Sequence, residues 1–210
     1  MSLGGTALEG LKLHHTCDAT IGGLSCLLAR TGYTGELGYE IYIDAAKVGR
    51  LWNLFVDKGV AWGLKPAGLG ARDLLRLEMG YLLYGNDMGE DTTPLEANAD
   101  WTVSFEKGEF IGSRALLAQK QAGVARRFVA FELAEKAVPR HGFRVLDPST
   151  AHPIGDVTSG NLSPLLQKGI GLGYVPVRFA EPGSSILIEI RNKTVPAHIV
   201  KPPFYRKPKA

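Results

Sequence analysis

The chain has 210 residues, 45% of them hydrophobic and 21% charged, with a formal net charge of +3. That length can bury a substantial core in one domain or two, and the composition is ordinary for a soluble globular protein. The charge is too small to indicate a nucleic-acid surface, no basic block interleaves with aromatics, and no apolar run approaches a membrane span.

Two cysteines, Cys17 and Cys26, lack CxxC spacing or a partner cluster, which fits a reducing compartment. Met1-Ser2-Leu3-Gly4-Gly5 reads as a leader joined to an interior segment, so the silence about a targeting peptide carries little weight. Residues 24–30 are apolar and predict a buried strand. They run into Arg30-Thr31-Gly32-Tyr33-Thr34-Gly35-Glu36-Leu37-Gly38-Tyr39-Glu40, a stretch too crowded with glycine to be a helix. Such a loop allows close approach of a ligand, with tyrosine faces for stacking and carboxylates as acceptors. An ordinary hairpin turn explains the same spacing.

Tyr39, Ile41 and Ile43 then alternate with Glu40 and Tyr42, which predicts a strand with Glu40 on the face opposite Tyr39 and Ile41. Asp44 is placed to cap a helix carrying Val48, Leu51, Trp52 and Phe55, with Gly59 as its C-terminal cap. Pro66 is expected to open a second helix through about Gly80. Ala67, Ala71, Leu74, Leu75 and Glu78 share one face of it, and Arg72 and Arg76 lie on another. Glu78, on an apolar face, reads as a half-buried, paired carboxylate. Residues 85–98 read as a loop, Trp101, Val103 and Phe105 as a strand, and 113–120 as a short helix.

Beyond a linker at 121–126 the helical periodicity ends. Six short β-like runs at 127–133, 143–146, 154–158, 170–175, 185–191 and 195–200 are punctuated by Gly, Pro, Asn and Asp, the signature of a small antiparallel barrel or sandwich. This places a domain boundary near residue 122, dividing 1–121 from 122–210. His14 and His15 have no third ligand at metal spacing, Gly68-Leu69-Gly70 and Gly171-Leu172-Gly173 are too short for a dinucleotide fingerprint, and Ser159 and Ser163 sit outside any GxSxG elbow.

The glycine-rich loop and the block Gly68-Leu69-Gly70-Ala71-Arg72-Asp73-Leu74-Leu75-Arg76-Leu77-Glu78 together resemble the T-protein family of the glycine cleavage system, tetrahydrofolate-dependent aminomethyltransferases. The likeness continues in order through Tyr84-Gly85-Asn86-Asp87, Thr93-Pro94-Leu95-Glu96-Ala97, Trp101 and Phe110-Ile111-Gly112. It runs on through Val157-Thr158-Ser159-Gly160, Ser163-Pro164, Gly171-Leu172-Gly173-Tyr174-Val175 and Pro203-Phe204-Tyr205-Arg206. It covers the chain from about residue 20 to the end.

The resemblance implies an α+β fold: part of the folate-binding α/β domains, followed by a small C-terminal antiparallel β-barrel, within a three-domain ring that holds folate in a central channel. It implies tetrahydrofolate as co-substrate, the lipoylated H-protein as partner, and no metal. It implies a cytoplasmic location in a bacterium, or the mitochondrial matrix in a eukaryote. The family's N-terminal segment has no counterpart here; it carries the aspartate regarded as the catalytic acid or base. The catalytic residue is therefore expected upstream of this chain, which by itself is expected to be inactive, and neither Asp73 nor Asp87 inherits the role.

Tyr33, Glu40 and Arg72 match the family's folate-contacting positions. A carboxylate such as Glu40 suits the guanidine-like edge of a pterin, Tyr33 suits its ring system or linker, and Arg72 suits a polar contact such as the anionic glutamate tail. Arg206 in the C-terminal tail is a further candidate. For Arg72 the competing reading is a salt bridge to Glu40 or Glu78. A different functional class, the folate module of sarcosine or dimethylglycine dehydrogenases, shares much of the pattern but would require a flavin domain upstream. A piece that only scaffolds is a third reading, against which docking with the lipoylated carrier would count.

Overall fold

The computed structural model describes residues 8–206. The opening residues, 1–7, on which the leader reading falls, lie outside the described residues. Two compact units divide the chain, Met1–Leu75 and Arg76–Ala210.

In the first unit, β1 (Thr16–Ile21) and β2 (Leu24–Ala29) form a hairpin, and β3 (Glu40–Tyr42) pairs antiparallel with the far edge of β2. Gly22 and Gly23 make the hairpin turn with φ of 58° and 78°, the paired left-handed conformations that a two-residue turn demands. A side chain at Gly22 would run into Leu54, so this turn packs against the following helix. One sheet face is the core of the unit: Leu11, Ala19, Cys26 and Leu28 are buried, with Ile21, Ile41 and Ile43 packed against them. Because strand side chains alternate, Glu40 is turned to the other face, as its spacing predicted.

Helix α1 (Ala45–Gly59) starts where Asp44 was expected to cap it; the Asp44 carboxylate accepts from the Ala46 N–H at 2.9 Å. Its end differs from expectation. Gly59 keeps a helical φ of −77°, and the chain continues through a 3-10 turn at Val60–Trp62. The left-handed residue is Gly63, with φ of 77°. Its N–H bonds to the Val60 carbonyl, and the Leu64 N–H reaches the Gly59 carbonyl at 3.0 Å, the paired bonds of a Schellman closure.

Helix α2 (Leu69–Glu78) begins three residues after Pro66, so the proline precedes the helix rather than sitting in its first turn. Its last three residues, Arg76, Leu77 and Glu78, are all buried.

In the second unit, residues 85–98 are loop, as expected. The strand expected at 101–105 is instead a 3-10 turn, Asp100–Thr102, followed by irregular chain, with Trp101 exposed. Alternation of apolar residues cannot hold a strand without a neighbouring edge to pair with. Helix α3 (Ser113–Ala122) follows, ended by Gly123.

The β-like runs all become strands: β4 (Arg126–Leu133), β5 (Arg144–Leu146), β6 (Pro153–Ser163), β7 (Lys168–Pro176), β8 (Ser185–Ile190) and β9 (Lys193–Val200). They close as an antiparallel barrel in the order β4-β7-β6-β5-β8-β9, with β9 returning to β4. Inside it Val129, Phe131, Leu133, Val145, Val157, Ile186 and Ile188 are buried together with alternate residues of β9. Glycine makes room for the largest of these, since a Cβ at Gly171 would meet the Phe131 ring at 2.3 Å.

Phe128 and Tyr174, paired across β4 and β7, carry an aromatic contact on the opposite face, with ring centroids 5.3 Å apart. The Tyr174 hydroxyl donates to the Asp87 carbonyl at 2.8 Å. Burial pushes this phenol up from 10 to about 12; Arg126 opposes the shift, while Asp87 and Glu96 add to it. Since the folded value lies above the unfolded one, the stabilisation is complete below pH 10 and is lost as the pH rises toward about 12. Alkaline absorbance titration should find one tyrosine ionising near that upper value, and Tyr174→Phe should abolish that step. A titration unchanged in the variant would show that another tyrosine is responsible.

Candidate functional site

The predicted folate-contacting residues of the first unit are carried by the segment joining β2 to β3 and by the first turn of α2. Arg30 anchors the segment's start. Its guanidinium donates to the Leu11 carbonyl at 2.7 Å, and its backbone bonds to His14 and His15 at 3.0 Å. Gly35, with φ of 73°, turns the chain at the tip, where Thr34 Oγ1 accepts from the Glu36 N–H. Leu37 at this tip is exposed. The chain then returns into β3, beginning with Glu40 opposite Ala29.

Two contacts organise the polar side chains. The Arg72 guanidinium lies over the Tyr33 ring, 5.0 Å from its centroid, in cation–π range. The hydroxyl of Thr31 donates a hydrogen bond to Oε2 of Glu40, tying the carboxylate to the start of the loop. The structure therefore brings Tyr33 and Arg72 together, and joins Glu40 to a residue that sequence reasoning had not singled out. The signal for Thr31 was a hydroxyl beside the glycine turn, which has no meaning until β2 and β3 are in register. Among the described residues, no carboxylate forms a salt bridge with Arg72, so the ion pair with Glu40 or Glu78 weighed from sequence is not formed.

Glu78 is satisfied elsewhere. It is buried in the second unit and accepts from the Ser163 hydroxyl at 2.6 Å, so the paired carboxylate expected there is fully rather than half buried. Its backbone carbonyl also receives the N–H groups of Phe204 and Tyr205 at 2.8 and 3.4 Å, fastening the C-terminal tail. Arg206 follows immediately, with its side chain exposed.

Asp87 is a structural hub. Its Oδ2 accepts from Arg76 at 2.6 Å and from the Leu83 N–H at 2.8 Å, and its Oδ1 from the Thr158 hydroxyl at 2.5 Å. Arg76 donates further to the Tyr81 carbonyl at 3.0 Å and to Ser159 Oγ at 2.8 Å. Asp87 and Arg76 are each 1% exposed. This carboxylate is enclosed, and these contacts are all to groups of the protein itself. Ser159 and Ser163 are the hydroxyl partners of the buried Arg76 and Glu78 side chains.

A cavity of about 240 Å³ in the second unit is lined by Leu95, Val103, Phe105, Gln119 and Lys120, among others, and contains none of the predicted site residues. Among the described residues no group of His, Cys, Asp and Glu could hold a metal ion, and no helix is long and apolar enough to cross a membrane.

Comparison with known proteins fits this arrangement. The GCVT N-terminal domain family matches residues 4–107, and the Glycine cleavage T-protein C-terminal barrel domain matches residues 126–206. An aminomethyltransferase of Halothermothrix orenii is 50% identical over 197 residues, covering 94% of this chain and 55% of that protein. One from Flavobacterium psychrophilum is 51% identical over 180 residues, covering 86% of this chain and 49% of that protein. The crystal structure of glycine cleavage system aminomethyltransferase T from Bartonella henselae superposes with a TM-score of 0.85 at 32% identity, covering 96% of this chain and 55% of that one. The chain thus spans about half the length of the relatives it matches. The barrel closed by β4 to β9 is the part matched by the second family model, residues 4–107 before it are matched by the first, and the chain belongs to the glycine cleavage T-protein family.

Proposed function

We propose that this chain is the folate-holding part of an aminomethyltransferase of the glycine cleavage system. In the reaction, a lipoylated H-protein presents an aminomethyl group as a thioether. Its C–S and C–N bonds break, the carbon becomes bonded to two ring-side nitrogens of tetrahydrofolate, and ammonia and the dihydrolipoyl thiol leave. The protein's part is positional: it holds the folate nitrogen toward the incoming carbon and excludes water. No proton transfer is assigned to a residue of this chain. We place the boundary between the folate-binding part and the barrel near residue 122.

The observation that carries this reading is a restrained carboxylate at Glu40, where the loop enters β3, together with the cation–π contact that Arg72 of α2 makes on Tyr33 in that loop. A carboxylate accepts both N–H groups of a pterin's guanidine-like edge, and the flat stack suits the ring or its aromatic linker. Arg72 is the cation proposed for a polar contact such as the anionic tail, and Arg206 is a separate, alternative candidate.

Glu40→Gln keeps the shape and removes the charge. It should weaken binding of 5-formyltetrahydrofolate, a stable reduced folate, by about tenfold to a hundredfold, the range for losing a charge-assisted hydrogen bond. The thermal midpoint should hardly move, because Glu40 lies on the sheet face away from the core. Calorimetric titration of the folded variant decides it; unaltered affinity overturns the proposed role.

A further inference from the structure

Thr31 closes the segment from the inside. It is the second residue after β2 ends at Ala29, and its hydroxyl spans the return of the chain to bond Oε2 of Glu40, the first residue of β3. The hydroxyl of the segment's other threonine, Thr34, accepts within its own turn from the Glu36 N–H at the tip. Both Thr31 and Glu40 are half-buried.

A glutamate has three side-chain torsions, and the last, which sets the plane of the carboxylate, is broad and weakly restrained by rotamer preference. Recognising a pair of adjacent N–H groups requires that plane to match theirs, so a freely turning carboxylate must be ordered at each binding event. A carboxylate offers about four acceptor sites, and one hydrogen bond from Thr31 leaves enough for a bidentate partner. The bond is made between groups of the protein itself, so ordering of the carboxylate does not depend on a ligand.

We propose that Thr31 is a positioning residue for the folate site, acting through Glu40 by holding its carboxylate plane in the binding orientation. This rests on the assignment of Glu40 as the acceptor for the pterin edge. It gives the segment a division of labour: Arg30 anchors it, Gly35 and Thr34 turn it, and Thr31 aims the one carboxylate that leaves it on a strand.

The test is a double-mutant cycle with 5-formyltetrahydrofolate, read by calorimetry on the full chain. Thr31→Val preserves shape and removes the donor. It should weaken binding about threefold to tenfold, the effect of ordering one rotamer-rich side chain on binding. Thr31→Ser, which keeps the hydroxyl, should restore affinity to within about twofold of the parent. In a Glu40→Gln background, Thr31→Val should add little, because its effect passes through the carboxylate. A merely structural role would instead lower the thermal midpoint, and would weaken binding equally in both backgrounds; either result overturns the proposal. Parental affinity in Thr31→Val overturns it too, if Glu40→Gln remains weak. If Glu40→Gln itself binds as the parent does, or the parent takes up no folate, the assignment of Glu40 fails first, and the positioning role falls with it.

Discussion

Asp87→Ala should destabilise the second unit by about 3–5 kcal/mol, the range for stripping one partner from a buried ion pair. The reason lies less in the lost attraction than in what is stranded. Arg76 would remain 1% exposed and charged, without the carboxylate that balances it. The Leu83 N–H and the Thr158 hydroxyl would also lose their acceptor. Chemical denaturation followed by circular dichroism measures the loss directly. Adding Arg76→Met to the variant removes the stranded guanidinium and should recover part of the stability. Full recovery is not expected, because the Leu83 and Thr158 groups stay unpaired. A loss below about 1 kcal/mol in Asp87→Ala would show that water enters the site and that the pair is not enclosed as the structure has it.

Gly155→Ala should be comparably severe, by another route. A Cβ built on Gly155 would stand 1.9 Å from the Tyr174 carbonyl oxygen, and one on Gly173 would stand 2.5 Å from that of Asp156. The two glycines thus allow β6 and β7 to approach more closely than side chains permit, near the register shift between Val157 and Ser159. Such close crossings are where barrels turn a corner. Both obstructing atoms are backbone, so no rotamer change relieves the contact and the strands must part. The expected cost exceeds the 1–3 kcal/mol usual for overpacking a core, on the order of 4 kcal/mol or loss of soluble protein. Near-parental denaturation of Gly155→Ala would mean that β6 can shift without opening the ladder.

The barrel was readable in advance because each of its strands carries its own signal. In β9, Val195, Ala197 and Ile199 alternate with exposed residues, and in β4 Phe128 to Phe131 form a short unbroken apolar run; both patterns are local to the strand. The same reasoning misread 101–105. Trp101, Val103 and Phe105 alternate equally well, yet the chain there takes a 3-10 turn, since a strand depends on a paired edge that local pattern cannot supply. The helix ends were legible to within a few residues. Gly59 and Gly63 are both plausible caps, and the choice of Gly63 was made by the Schellman bonds that close around Leu64.

The candidate site divides in the same way. The face on which Glu40 stands followed from strand alternation alone, because successive side chains on a strand must face opposite sides. Thr31 did not follow, since its role requires the start and the end of the loop to be brought within hydrogen-bonding distance by the β2–β3 pairing. Arg76 and Asp87, eleven residues apart, read separately as a helical arginine and a loop aspartate; only burial beside Thr158 and Ser159 turned them into one network.

Local physics alone specifies the strand periodicities, the Asp44 cap, the glycine-rich loop and the face on which Glu40 stands. Tertiary structure decided the partners: the closure of β9 on β4, the stacking of Arg72 on Tyr33, the burial of the Arg76–Asp87 pair, and the bond that restrains Glu40. Backbone propensity acts over a few neighbouring residues, whereas ion pairs, close strand crossings and aimed side chains depend on groups that the chain brings together only when it folds.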